Sequence, residues 1–144
     1  MPRRPKPSAA RRPPPAAYQV FVSHATPDKW VARMICEKID AIPGATTFRD
    51  DRDIEGGDDI PEALREQIAL SGEVLVLMTP VSVARPWVLL EVGAWQAGKW
   101  IVPVCYHVEV GQIPPILQRR KAHSLNDLDQ YLAELRDRIG RGRS

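Results

Sequence analysis

The feature that most constrains the fold is an alternation of short β-rich runs with segments of helical periodicity. Val74 to Met78 is apolar at every position, which indicates a strand buried on both faces. Further predicted strands are Tyr18–Val22, Ala45–Phe48, Trp100–Val104 and Ala122–Leu125, and the intervening or following segments around 29–42, 59–68, 85–98 and 128–139 are predicted to be helical. Such alternation predicts an α/β domain with a parallel five-stranded sheet and helices on both faces.

Composition is that of a soluble globular protein. The chain has 144 residues, of which 44% are hydrophobic and 26% charged, which is enough for one domain with a substantial core. No apolar stretch approaches the ~20 residues of a membrane helix, and no secretory signal is apparent. Cys36 and Cys105 are interpreted as reduced structural cysteines. We therefore expect a cytoplasmic protein without a membrane segment.

Charge is distributed unevenly along the chain. Residues 1–17 contain five basic side chains, six prolines and no acid, so we expect an extended, disordered tail outside a domain that spans residues 18–140. The remainder has 15 basic and 18 acidic residues, and this mild negative charge does not favour nucleic-acid binding. His24, His107 and His123 show no ligand spacing, so no metal site is predicted.

Glu91 is the strongest candidate for a chemical role. It follows Trp87 by four residues, which places both on one face of the predicted helix. This helix follows the buried strand at 74–78, and open α/β sheets bind ligands at the carboxyl ends of their strands. A carboxylate there can stabilise the positive charge that develops when a glycosidic bond to a cationic base breaks. Pairing with a neighbouring arginine is an equally open interpretation.

The order of the motifs resembles a bacterial-type Toll/interleukin-1 receptor (TIR) domain. The matching blocks are Val20–Ala25, Phe48–Asp50 followed by Ile54–Asp58, Val74–Thr79, and Pro86–Ala94 running into Gly98–Val104. Together with the last helix, the resemblance covers Tyr18 to about Ile139. It implies a flavodoxin-like, three-layer TIR fold.

The resemblance also implies an activity and its residues. Many TIR domains cleave nicotinamide from NAD+ and release ADP-ribose or a cyclic or conjugated form, so NAD+ is expected as the substrate with no separate cofactor. The family's catalytic glutamate corresponds to Glu91. The positions expected to contact or border the substrate are Phe21, Ser23, His24, Asp50, Arg85 and Trp87. Arg85 replaces a more usual Ser or Lys and is able to hold a diphosphate.

Assembly is a further implication of the resemblance. The loop Asp50 to Asp58 corresponds to the family's BB loop, which packs against a neighbouring subunit, so we expect a homo-oligomer whose site is completed on assembly. The nearest functional setting is that of stand-alone TIR NAD glycohydrolases in anti-phage defence, with a separate sensor or effector protein as a partner. The product, the trigger and the assembly symmetry stay open.

Two other functions are compatible with the same residues. A TIR domain can be a non-enzymatic scaffold that works through homotypic contacts or interferes with host receptor signalling. The loop at 50–58 has no proline, unlike many receptor-type members, which argues against the receptor-adaptor style of assembly. A nucleoside deoxyribosyltransferase-like enzyme, with the same architecture and a glutamate at a glycosidic carbon, is the third interpretation.

Overall fold

The computed structural model describes residues 17–49, 62–84, 98–113 and 121–142. The tail at 1–16, the loop Asp50 to Asp58 and the predicted helix over 85–97 lie outside these ranges, so those predictions remain untested. The domain boundaries at 18 and 140 also remain predictions.

Five parallel strands form one sheet in the described residues. Their bounds are β1 (Tyr18–Ser23), β2 (Ala45–Arg49), β3 (Glu73–Met78), β4 (Trp100–Cys105) and β5 (His123–Ser124). The spatial order is β2-β1-β3-β4-β5, which is the flavodoxin-like order. The predicted α/β class and parallel sheet are confirmed. The last strand is shorter than predicted and has two residues at the edge of the sheet.

Three α-helices are described, and they pack on both faces of the sheet. Their bounds are α1 (Lys29–Asp40), α2 (Glu62–Leu70) and α3 (Leu128–Gly142). One apolar cluster joins α1 and α3 to one face, and a second joins α2 to the other. Leu75 and Leu77 of β3 belong to the first cluster, whereas Val74, Val76 and Met78 belong to the second, as strand alternation requires. No helix in the described ranges is long and apolar enough to cross a membrane.

The start of the first helical segment differs from its sequence prediction. The run Thr26-Pro27-Asp28 predicts a helix start with Thr26 as the N-cap and an acid near the helix N-terminus. In the structure the cap position is occupied by Ala25, whose backbone is extended with φ −82° and ψ 151°. A 3-10 helix, Thr26–Asp28, follows and leads directly into α1. The carbonyl of Ala25 accepts a hydrogen bond of 2.9 Å from the Asp28 N–H, so the first turn closes without a side-chain cap. The prediction of a Thr26 cap is therefore wrong.

A buried carboxylate fastens α3 to the amino end of the sheet. Glu73, the first residue of β3, is 0% exposed. Its oxygens accept hydrogen bonds from the hydroxyls of Tyr18 (2.8 Å) and Tyr131 (2.6 Å). They also accept two from the guanidinium of Arg138, at 2.9 Å each. We call these four residues the Glu73 cluster. Because every donor points at the carboxylate, the charge is buried with full compensation.

The electrostatics of the Glu73 cluster follow from burial and from the charge of Glu73. Burial, and then the negative charge of Glu73, raise the pKa of both the Tyr18 and Tyr131 hydroxyls well above their ordinary value. Burial alone would lower the pKa of Arg138, but its hydrogen bonds to Glu73 and the charge of Glu73 outweigh this and raise it. At neutral pH the two tyrosines therefore act as donors and the arginine as a cation.

Candidate functional site

The candidate site lies at the carboxyl edge of the sheet, where β1 and β3 end side by side. Ser23, the last residue of β1, pairs in register with Val76 of β3, two residues before β3 ends at Met78. In the order β2-β1-β3-β4-β5, β1 and β3 are also the strands between which the direction of winding reverses. Ligands of open α/β sheets bind in the crevice at this switch point.

Ser23 and His24 lie at this edge, and their predicted position beside a substrate stays a prediction. Both are nearly buried, with 8% and 7% of their surface exposed. The Nδ1 atom of His24 lies 2.7 Å from the carbonyl oxygen of Ala25. A carbonyl only accepts, so Nδ1 is the protonated nitrogen, and in the neutral ring Nε2 carries the lone pair. This contact fixes the tautomer and the direction of the ring.

Phe21 lies below the edge, in the core. It is 2% exposed, and its ring centroid is 5.5 Å from that of Phe48 on β2. This ring contact packs the carboxyl halves of β1 and β2 together, and Phe21 is therefore part of the core next to the strand ends. Its predicted contact with a substrate remains a prediction.

The other predicted site residues lie outside the described ranges. They are Asp50, Arg85, Trp87 and Glu91. Asp50 follows Arg49, the last residue of β2, and Arg85 follows Ala84, the last residue of a 3-10 helix, Ser82–Ala84. The chain therefore leads directly from the end of β2 to Asp50 and from the end of this 3-10 helix to Arg85, while the side-chain geometry of all four residues is untested.

A separate cavity of about 220 Å³ opens at the ends of β4 and β5. It is lined by Cys105, Val108, Glu109, Ala122, His123 and Ser124. None of these is a predicted site residue, and β4 is two positions away from β1 in the sheet. Within the described ranges, no group of three or more His, Cys, Asp or Glu side chains is arranged to hold a metal ion.

Sequence reasoning missed a hydrogen-bonded turn at the end of β3. The Thr79 N–H donates to the Ser82 hydroxyl at 2.7 Å, and the Ser82 N–H donates to the Thr79 hydroxyl at 3.1 Å. The two bonds are reciprocal, as in a capping box in which serine replaces the usual Glu or Gln, and Pro80 lies in the turn between them. The signal was present as Thr-Pro-x-Ser, but the motif is usually sought with an acid or amide at its fourth position.

The turn is also bonded to the loop that follows β1. The Thr79 hydroxyl donates to a carboxylate oxygen of Asp28 at 2.6 Å, across a sequence separation of 51 residues. We call the Asp28–Thr79 hydrogen bond the latch. It connects the segment that carries His24 with the segment that leads to Arg85. No sequence pattern announces it, because it depends on how β1 and β3 are paired.

Comparison with known proteins identifies the class. The family model described as "TIR domain" matches residues 20–139, and the chain therefore belongs to the TIR domain family. The predicted resemblance to a TIR domain and the flavodoxin-like TIR fold are confirmed, whereas the bacterial, anti-phage type stays a prediction. Comparison with curated proteins gives no match.

Two solved structures illustrate the fold similarity. A metazoan TIR-STING receptor from C. gigas, in complex with 2′,3′-cGAMP, is 24% identical, with a TM-score of 0.61 over 83% of this chain and 40% of that receptor. The TIR domains of the activated Roq1 resistosome, which directly recognises the pathogen effector XopQ, are 18% identical. Their TM-score is 0.56, and 88% of this chain and 99% of that chain are covered. The chain thus spans about 40% of the length of the TIR-STING receptor.

Proposed function

We propose that this TIR domain cleaves the nicotinamide–ribose bond of NAD+. The bonding electron pair leaves with nicotinamide, which neutralises its ring nitrogen, and positive charge develops on the ribose carbon. The carboxylate of Glu91 stabilises that charge. A water molecule then attacks the carbon and releases a proton, which gives ADP-ribose. An internal or external nucleophile in place of water gives a cyclic or conjugated product.

The observation that carries this proposal is the Trp87-x-x-x-Glu91 motif in a chain that belongs to the TIR family. The described structure supports it with a suitable edge, because β1 and β3 end together at the switch point of the sheet. Ser23 and His24 at this edge would border the nicotinamide, and Trp87 would stack on a flat ring. Phe21, Asp50 and Arg85 complete the proposed substrate-binding set.

The proposed activity depends on self-assembly through the loop Asp50 to Asp58. Binding energy from subunit contacts would complete the site on a neighbouring copy. The proposed setting is anti-phage immunity in the cytoplasm, where NAD+ loss or a nucleotide signal would act through a separate sensor or effector protein.

The test is NAD+ consumption by the purified full chain, at low and high protein concentration, with the products resolved by mass. Glu91→Gln keeps the size of the side chain and removes its charge, so we expect turnover to fall by about 100-fold or more. Activity per molecule of wild type should rise with concentration.

Asp40→Asn is a suitable control, because Asp40 ends α1 and only accepts a hydrogen bond from Thr47 there. It should retain wild-type turnover. Equal activity of wild type and Glu91→Gln would contradict the catalytic assignment, and concentration-independent activity would contradict the dependence on assembly. Absence of turnover at every concentration would contradict the enzyme itself.

A scaffold is the second candidate, and one described feature favours it. Trp30, in the first turn of α1, is 72% exposed. An exposed tryptophan on a helix is a typical contact residue of a protein interface. If the scaffold proposal holds, Trp30→Ala should abolish self-association while Glu91→Gln leaves it intact.

A further inference from the structure

Asp28 stands where a helix is usually capped, but its carboxylate does not cap. It occupies the N-cap position of α1, with φ −96° and ψ 14°, and makes no side-chain hydrogen bond to the N–H groups of that helix. An aspartate at this position ordinarily accepts such a bond, which stabilises the helix. Here the carboxylate accepts from Thr79 instead, at 2.6 Å. The carboxylate therefore bonds the turn after β3 and does not cap its own helix.

The Thr79 hydroxyl is held in one orientation. It donates to Asp28 and accepts from the Ser82 N–H, so both of its hydrogen-bonding directions are fixed. The Ser82 hydroxyl in turn donates to the carbonyl of Leu77 on β3, at 2.9 Å. Thr79 and Ser82 are 2% and 0% exposed, so water competes little for the bonds within the turn, while Asp28 is half-buried.

The chain of bonds runs from α1 through the latch to the turn at 79–84. The Val83 N–H closes this turn by donating to the Thr79 carbonyl at 2.9 Å. A bond to an ionised acceptor is shorter and stronger than one between neutral groups, and the 2.6 Å separation agrees with this. The latch is therefore a short, charge-assisted hydrogen bond between the exits of β1 and β3.

We infer that Asp28 is a positioning residue for the carboxyl edge: through Thr79 it sets where the chain leaves β3 toward Trp87 and Glu91. This inference rests on the proposed NAD+ cleavage. Glu91 lies seven residues after Ala84, the last described residue of that turn. A carboxylate displaced by about 1 Å from the reacting carbon can lose as much as 100-fold in rate. Because Asp28 acts through Thr79 and not on the substrate, we expect its effect to fall on the rate of the chemical step.

The test separates kcat from KM in the full chain. Asp28→Ala and Thr79→Val should each lower kcat by about 10- to 100-fold while KM changes by less than about 3-fold. Thr79→Ser keeps the hydroxyl and should restore most of the rate. The double variant Asp28→Ala/Thr79→Val should be no slower than the slower single variant, because both substitutions remove the same hydrogen bond.

Asp40→Asn is the matched control. Thr47 donates its hydroxyl to Asp40 at 3.0 Å, which is the same pair of groups on the same helix, but at the opposite end and exposed. This variant should keep wild-type kcat and KM. Far-UV circular dichroism of each variant establishes that it is folded, and the comparison of Thr79→Val with Thr79→Ser tests the inference if Asp28→Ala fails to fold.

The outcomes are distinguishable. If wild type consumes NAD+, Glu91→Gln does not, and both latch variants keep wild-type kcat, the inference is overturned while the proposed function stands. A loss in Thr79→Val that Thr79→Ser does not recover also overturns it, since the hydroxyl is then irrelevant. If wild type consumes no NAD+ at any concentration, the proposed function fails and the inference fails with it.

Discussion

Arg138→Met should cost the domain about 3–5 kcal/mol of unfolding free energy. The substitution removes both guanidinium hydrogen bonds to Glu73 and leaves that carboxylate, 0% exposed, with only the two tyrosine hydroxyls. Removing one partner of a buried ion pair strands the other charge, and the cost follows from its desolvation. Domains of this kind have a total unfolding free energy of about 5–15 kcal/mol, so the loss is a large share.

The assay is urea unfolding followed by far-UV circular dichroism, with thermal unfolding as a second measurement. A loss of this size should lower the melting temperature by roughly 10–20 °C. The urea m-value should not change, because the surface exposed on unfolding is nearly the same. The double variant Glu73→Gln/Arg138→Met removes both charges and keeps an acceptor for Tyr18 and Tyr131, so it should recover at least about 2 kcal/mol relative to the summed single variants.

Glu134→Gln is the control for removing a glutamate charge from the same region. Its carboxylate is bonded to Lys121 and His123, but its side chain is 36% exposed. The cost should be below about 1 kcal/mol. The reasoning would be refuted if Arg138→Met cost no more than this control, or if the double variant lost the full sum of the two single losses.

The remaining predictions concern two glycines and the two cysteines. A Cβ at Gly72 would overlap the ring of Tyr18, so Gly72→Ala should destabilise the domain by about 1–3 kcal/mol in urea unfolding. A Cβ at Gly140 in α3 would meet nothing within 4 Å, so Gly140→Ala should raise the unfolding free energy by up to about 1 kcal/mol. Equal effects of the two substitutions would contradict the packing argument. Burial raises the pKa of Cys36 and Cys105, so the fold favours the neutral thiols. Their contribution to stability is present below the unfolded pKa of about 8.5 and is lost as pH rises through the raised folded pKa. Cysteine alkylation, measured by mass spectrometry, should be slow at neutral pH and faster at alkaline pH. It should be faster at Cys105, which lines a cavity, than at Cys36. Faster alkylation of Cys36 would contradict the position of the two thiols in the structure.

The sheet was predictable from sequence because its signals are local. Runs such as Val74–Met78 indicate a strand without any knowledge of neighbours, and α1 shows its apolar stripe at helical spacing. The edge strand was less predictable, since two residues of pairing give little pattern. The TIR family was identifiable because several short motifs occur in one order.

The polar contacts were not predictable in the same way. The sequence places Asp28 at a helix start and predicts no distant partner, yet its carboxylate accepts a hydrogen bond from Thr79, 51 residues away. Glu73 directly precedes the apolar run Val74 to Met78, and a charge in that position requires partners when it is buried. Those partners come from β1 and α3, and only the three-dimensional pairing of elements supplies them.

The two ends of β3 take part in different contacts, the Glu73 cluster at its start and the latch just after its end. Glu73 begins it, and Thr79 follows its last residue, so the two are separated by about 20 Å of extended chain. Energetic effects at sites so far apart are expected to add independently. Substitutions that change the carboxyl edge of the sheet can therefore accumulate without weakening the Glu73 cluster at the amino end. A stabilised amino edge would in turn give the domain a reserve of stability, against which destabilising changes around a substrate could be tolerated.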